Sequence, residues 1–191
     1  MNKIKWWKIL KDILKAGSSP ETKFFKAWFE EDPDKKDEKI GCLFAKDGRR
    51  ALLVKRHGLF ITEPGIYTLF DNDIILCGDK EAVLKVENFR IENLFNLDAP
   101  KTILHHVDVP RVKGIGRETT YISLPNDSGE DFWTIGIRDG HTTMNMDFIP
   151  TIRKWDSIEY EDNGKAGRIL FQTIEDDLAE VSYLVMGVSH A

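Results

Sequence analysis

The chain has 191 residues, 41% of them apolar, which is enough for one substantial core. It has 27 basic and 32 acidic residues, a formal charge of −5, and residues 1–16 hold five lysines and one aspartate, so residues 17–191 carry −9. That acidic remainder lacks the basic footprint that phosphate backbones demand, which excludes generic nucleic-acid binding.

The first sixteen residues, MNKIKWWKILKDILKA, read as a basic amphipathic helix. At about 100° per residue, Trp6, Trp7, Ile9, Leu10, Ile13 and Leu14 share one arc, while Lys5, Lys8, Lys11, Asp12 and Lys15 fill the other. Gly17 supplies the stop. Six large apolar groups are each worth about 1.5–3 kcal/mol when fully buried, so something must cover them. The candidates are the chain's own body, a partner subunit or a membrane interface.

Ser19-Pro20-Glu21 is a helix start, and the spacing predicts a second helix to about Glu31 with Phe24, Phe25, Trp28 and Phe29 on one side. Residues 1–31 would then form a helical hairpin. Residues 32–38, DPDKKDE, are charged and free of apolar groups, as an exposed linker is.

From Lys39 onward the composition changes to short apolar runs separated by turn residues. IGCLFA, RALLVKR, GLFIT, GIYTLF, DIILC, AVLKVE, TILHHVDV, TYISL, FWTIGI, TTMNMDF, SIEYE, RILFQTI and VSYLVM alternate with segments such as KDGR, DND and EDNGKAG. This spacing predicts an antiparallel β domain over 39–191, a sandwich or a barrel, carrying an N-terminal amphipathic two-helix unit. Asp47-Gly48 and Asn163-Gly164 are its clearest hairpin turns. Phe89–Phe95 fits either a helical turn or a strand, and residues 176–186 are assigned to a strand. Cys42 and Cys77 lie inside apolar runs and read as a buried reduced pair. With no uninterrupted apolar leader core and no run of about 18 apolar residues, a cytoplasmic location is expected.

Candidate chemistry is sparse. His105, His106 and Asp108 are the closest grouping of metal-ligand types, with His57 and His141 elsewhere. On a strand only His106 and Asp108 would share a side, one donor short of even a catalytic zinc site, so no metal or other cofactor is expected. Asp139-Gly140-His141-Thr142 reads as a reverse turn, since adjacent turn residues rarely form the bond between nucleophile (Thr142 or Thr143) and base. Lys113-Gly114-Ile115-Gly116-Arg117 continues into neither phosphate-binding fingerprint. Lys46, Arg49, Arg50, Lys55 and Arg56 decorate one hairpin, where cations also discourage aggregation of strand edges. The acid pairs Asp71 and Asp73, Glu130 and Asp131, and Asp176 and Asp177 fall in expected turns.

These features point to a non-catalytic assembly or adaptor subunit, alone or in a large particle. Its N-terminal amphipathic helices would dock on a protein partner or neighbouring subunit, with Trp6, Trp7, Ile9, Leu10, Ile13 and Leu14 as the contact residues. The alternatives are a peripheral membrane protein using the same helix, and a metal-assisted or acid-base enzyme using His106, Asp108 and His141.

Overall fold

The computed structural model describes residues 5–16, 23–70, 73–78, 91, 93–98, 101–108, 148, 150, 152, 154–161, 167–175 and 179–186. The first helix forms where its periodicity places it, as α1 (Lys5–Ala16). All other regular elements among the described residues are strands: β1 (Phe24–Glu31), β2 (Lys39–Lys46), β3 (Arg50–His57), β4 (Gly65–Phe70), β5 (Asp73–Leu76), β6 (Lys101–Asp108), β7 (Lys154–Glu161), β8 (Arg168–Glu175) and β9 (Ala179–Met186). They build one antiparallel sheet in the order β5-β4-β1-β2-β3-β9-β8-β7-β6. Among the described residues the sheet is open, with β5 and β6 at opposite ends, so it is not the closed barrel that was one expectation.

A second correction concerns residues 24–31, which form a strand and not a helix. Helical spacing puts Phe24, Phe25, Trp28 and Phe29 on one side, but the same octapeptide also alternates as a strand. Phe25 and Ala27 are buried beside α1, while Lys26, Trp28 and Glu30 take the other side. Aromatic side chains suit a pleated surface, and ladders on both flanks decide between the patterns. Trp28 pairs with Cys42 of β2, and Phe25 with Tyr67 of β4. The predicted helical hairpin therefore reduces to one helix. Residues 32–38 become the β1–β2 connection, closed by the Asp32 amide donating to the Glu38 carbonyl at 3.1 Å.

The sheet has two meanders, β1-β2-β3 and β6-β7-β8-β9, joined where β3 pairs with β9. α1 lies over β2 and β3. Its apolar face meets Leu43, Ala45, Leu52, Val54, Tyr183 and Val185 in the main core, to which Leu59 and Ile61 of the predicted GLFIT run contribute from a loop. Gly41 makes room for that loop, because a Cβ there would lie 2.5 Å from the Leu59 Cβ.

The opposite side carries a smaller cluster of Phe44, Ala51, Leu97, Leu170 and Leu184, flanked by Leu94 and Phe95. Within the ambiguous 89–95 stretch the described residues form a turn, with the Leu94 amide donating to the Ile91 carbonyl at 3.1 Å. This segment belongs to the connection from one sheet edge to the other, and Phe95 meets Phe44 edge-on at 6.2 Å. The Asp47-Gly48 hairpin forms as expected, with Gly48 at φ 84° and the Asp47 carboxylate accepting from the Arg49 and Arg50 amides. Residues 179–186 form the expected strand. The AVLKVE, TYISL and FWTIGI runs, TTMNMDF apart from Phe148, and Asn163-Gly164 lie outside the described residues. Among the described residues no helix is long and apolar enough to cross a membrane.

Candidate functional site

The residues expected to dock on a partner are covered by the chain's own sheet. Trp6, Ile9, Leu10, Ile13 and Leu14 are all buried, and Trp6, Leu10 and Ile13 have no exposed surface. Trp7 alone of the six keeps a solvent edge. Trp6 stacks on Phe60 with centroids 6.0 Å apart, Trp7 meets the same ring edge-on at 5.3 Å, and Phe60 is itself 46% exposed. Because the apolar arc faces inward, α1 presents Lys5, Lys8 and Lys15 to solvent, and the Lys11 ammonium sits 5.9 Å from the centre of the Trp7 ring.

The basic residues of the β2–β3 hairpin do not form one patch. Arg50 points towards α1 and is buried, its Nε 2.7 Å from Asp47 Oδ2 and one terminal nitrogen 3.0 Å from the Asp12 carbonyl. The guanidinium also lies 4.5 Å from the centre of the Phe148 ring. Lys55 is on the other side of the sheet, 2.6 Å from Glu30 Oε2, and Trp28 Nε1 donates to the second Glu30 oxygen at 3.0 Å. Burial, reinforced by the Glu30 charge, pushes the neighbouring Cys42 thiol up to about 12. Cys42 is thus an inert core residue; both it and the partly buried Cys77 are free thiols.

One polar constellation was not anticipated. Asp32, Glu38 and His57 converge beside the β1–β2 connection, each offering one donor atom within 4.8 Å of the other two. The Asp34 amide donates to Asp32 Oδ1 at 2.8 Å, leaving Oδ2 directed at His57 Nε2, 3.0 Å away. His57 Nδ1 is 3.7 Å from Glu38 Oε2, which also lies 3.2 Å from the Lys35 ammonium. The Asp32 side chain is only 5% exposed, against 41% for His57 and 53% for Glu38. Asp37, at φ 80°, turns the chain so that Glu38 faces this cluster.

His105 and His106 are exposed on β6, and His106 has φ 53°. The ladder pairs His105 with Ser157 and Val107 with Trp155, skipping His106. Asp108 ends the same strand. His141, Thr142, Thr143, Lys113–Arg117, Asp71, Glu130, Asp131, Asp176 and Asp177 lie outside the described residues, and Asp73 is exposed at the start of β5. Sequence reasoning missed the Asp32–Glu38–His57 grouping because it treated 32–38 as a linker; recognising β1 as a strand would have turned that stretch into a hairpin loop. No family model, curated protein or solved structure matches the chain.

Proposed function

We propose that this chain is a non-catalytic assembly subunit that docks through the outward side of α1 onto the acidic surface of a neighbouring copy. The observation that carries this reading is the orientation of the helix. With its apolar arc packed on the sheet, it offers Lys8 and Lys15, one heptad apart, together with the partly buried Trp7 and the half-exposed Phe60. The −9 of residues 17–191 supplies the complementary sign. A basic rim around an aromatic edge suits a protein surface, where aromatic groups anchor and charges set orientation. The inward apolar arc argues against lipid insertion, since an interfacial helix needs that arc for the membrane.

Sedimentation velocity over a range of concentrations, in low salt and in about 0.5 M salt, tests the proposal, because screening at the higher strength shortens the Debye length to roughly 4 Å. Concentration-dependent self-association that weakens in salt, and is lost in the K8E/K15E variant, is the expected result. A monomer under every condition, or association indifferent to the charge reversal, overturns it. Sedimentation with anionic but not neutral vesicles by a protein that stays monomeric would replace the proposal with a membrane role.

A further inference from the structure

We propose that Asp32, Glu38 and His57 form a binding site for one divalent transition-metal cation of the zinc class. The donors come from the β1–β2 connection and the end of β3, and they are brought together by the sheet itself, since His57 pairs with Ile40 at the start of β2. Three features distinguish the cluster from a solvated group of acids.

The first is the imidazole. Calcium takes six to eight oxygen donors and magnesium keeps most of its waters, whereas a nitrogen with two carboxylates suits zinc and its neighbours. The second is spacing. A tetrahedral metal with bonds of about 2.1 Å holds its donors about 3.4 Å apart, and His57 Nε2 lies 3.0 Å from Asp32 Oδ2. Glu38 Oε2, half exposed on a loop, faces the other ring nitrogen, Nδ1, at 3.7 Å, and the three donors lie within 4.8 Å of one another, so the carboxylate closes on the metal by moving towards the Asp32 side of the ring. The third is the buried Asp32 carboxylate, whose one oxygen is fixed by the Asp34 amide and whose other is aimed at His57 Nε2. An anion withdrawn from water needs a cation or donors to compensate it, and its orientation is set before any ligand arrives. Water would complete the fourth position on the exposed side. Lys35, now against Glu38 Oε2, is the group a metal would displace.

Isothermal titration of the full chain with zinc chloride, followed by cobalt(II) absorption spectra, tests the site. One equivalent is expected to bind, with a tetrahedral cobalt spectrum. H57A and E38Q are expected to weaken binding at least about tenfold, K35A to strengthen it, and an H105A/H106A variant to leave it unchanged. Far-UV circular dichroism checks that each variant is folded, and E38Q alters only a half-exposed loop side chain, so it remains informative if H57A does not fold. Absence of binding overturns the proposal, as does binding that survives in both H57A and E38Q or is lost with His105 and His106. Neither result bears on self-association through α1, which uses other residues.

Discussion

The Arg50 guanidinium and the Asp12 carbonyl, 3.0 Å apart, join the first helix to a hairpin 38 residues further along the chain. The same guanidinium holds the Asp47 carboxylate, both side chains being 4% exposed. It thereby fixes the β2–β3 turn and the seat of α1 at once. Tyr183 adds a further strut, its hydroxyl donating to the Phe148 carbonyl at 2.8 Å beneath the ring that Arg50 covers.

Replacing Arg50 with Met leaves Asp47 buried without its cation. The expected loss is about 3–5 kcal/mol of folding stability, measured by urea denaturation. The Asp47→Asn change combined with Arg50→Met should cost clearly less than the sum of the two single changes. Additive costs would show that the pair is not coupled.

Gly41 is a packing requirement. Its substitution by Ala drives a methyl group against the Leu59 Cβ and the Arg56 carbonyl side of the strand, and about 1–3 kcal/mol of destabilisation is expected. Adding Leu59→Ala to Gly41→Ala should recover none of that loss, because the obstructing atom is the Leu59 Cβ, which alanine keeps, and the buried side chain beyond it is lost as well. Thermal unfolding of the three variants checks the pattern.

Glu161 gives the fold an acid-sensitive joint. Burial opposes its ionisation, but hydrogen bonds from the Arg168 side chain and from the Asp98 and Arg168 amides outweigh burial and hold its pKa below the ordinary carboxylate value. A carboxyl depressed in the folded state contributes stability above its unfolded pKa, 4.5, and that contribution fades as pH falls through the lower folded value. Unfolding free energy should therefore drop below pH 4.5 more steeply in the parent than in Glu161→Gln. Equal slopes would mean that the joint adds nothing. Lys55 has the opposite sense: its hydrogen bond with Glu30 raises its pKa above 10.5, so this pair is lost as pH rises through the folded value.

Cys42 should resist alkylation. With its thiol pushed up to about 12 and its side chain buried, it carries almost no accessible thiolate at neutral pH. Iodoacetamide should label Cys77 first, and Cys42 only on unfolding, a difference that peptide mass spectrometry reads directly.

The N-terminal helix was legible because its apolar arc is unambiguous over three turns, and the Asp47-Gly48 hairpin because that dipeptide supplies both an acceptor and a positive φ. Residues 24–31 were not, since FFKAWFEE satisfies helical and strand periodicity equally, and only its neighbours β2 and β4 choose between them. That one error concealed the acid–histidine cluster as well. Once 32–38 is a turn and the hairpin at Gly48 is placed, residue 57 falls opposite residue 40, two positions from Glu38. Openness was illegible for a different reason: strand spacing reports the number of strands, while closure depends on whether the outermost two can reach each other. The destination of the helix's apolar arc likewise depended on a surface made by strands far along the chain, Tyr183 and Val185 among them.

The place of β9 between β3 and β8 gives the protein a late-fastening clasp. β3 ends at His57 and its neighbour begins at Ala179, so during translation residues 58–178 must emerge before the Arg50–His57 ladder can be filled on that side. At ribosomal speeds this is a wait on the order of ten seconds with a naked strand margin. Arg50, Lys55 and Arg56 stand along that margin, and cationic side chains are a common guard against mispairing. Charges that end in ion pairs or beside the helix thus line, until β9 arrives, the open margin of β3, where cationic side chains disfavour pairing with another chain.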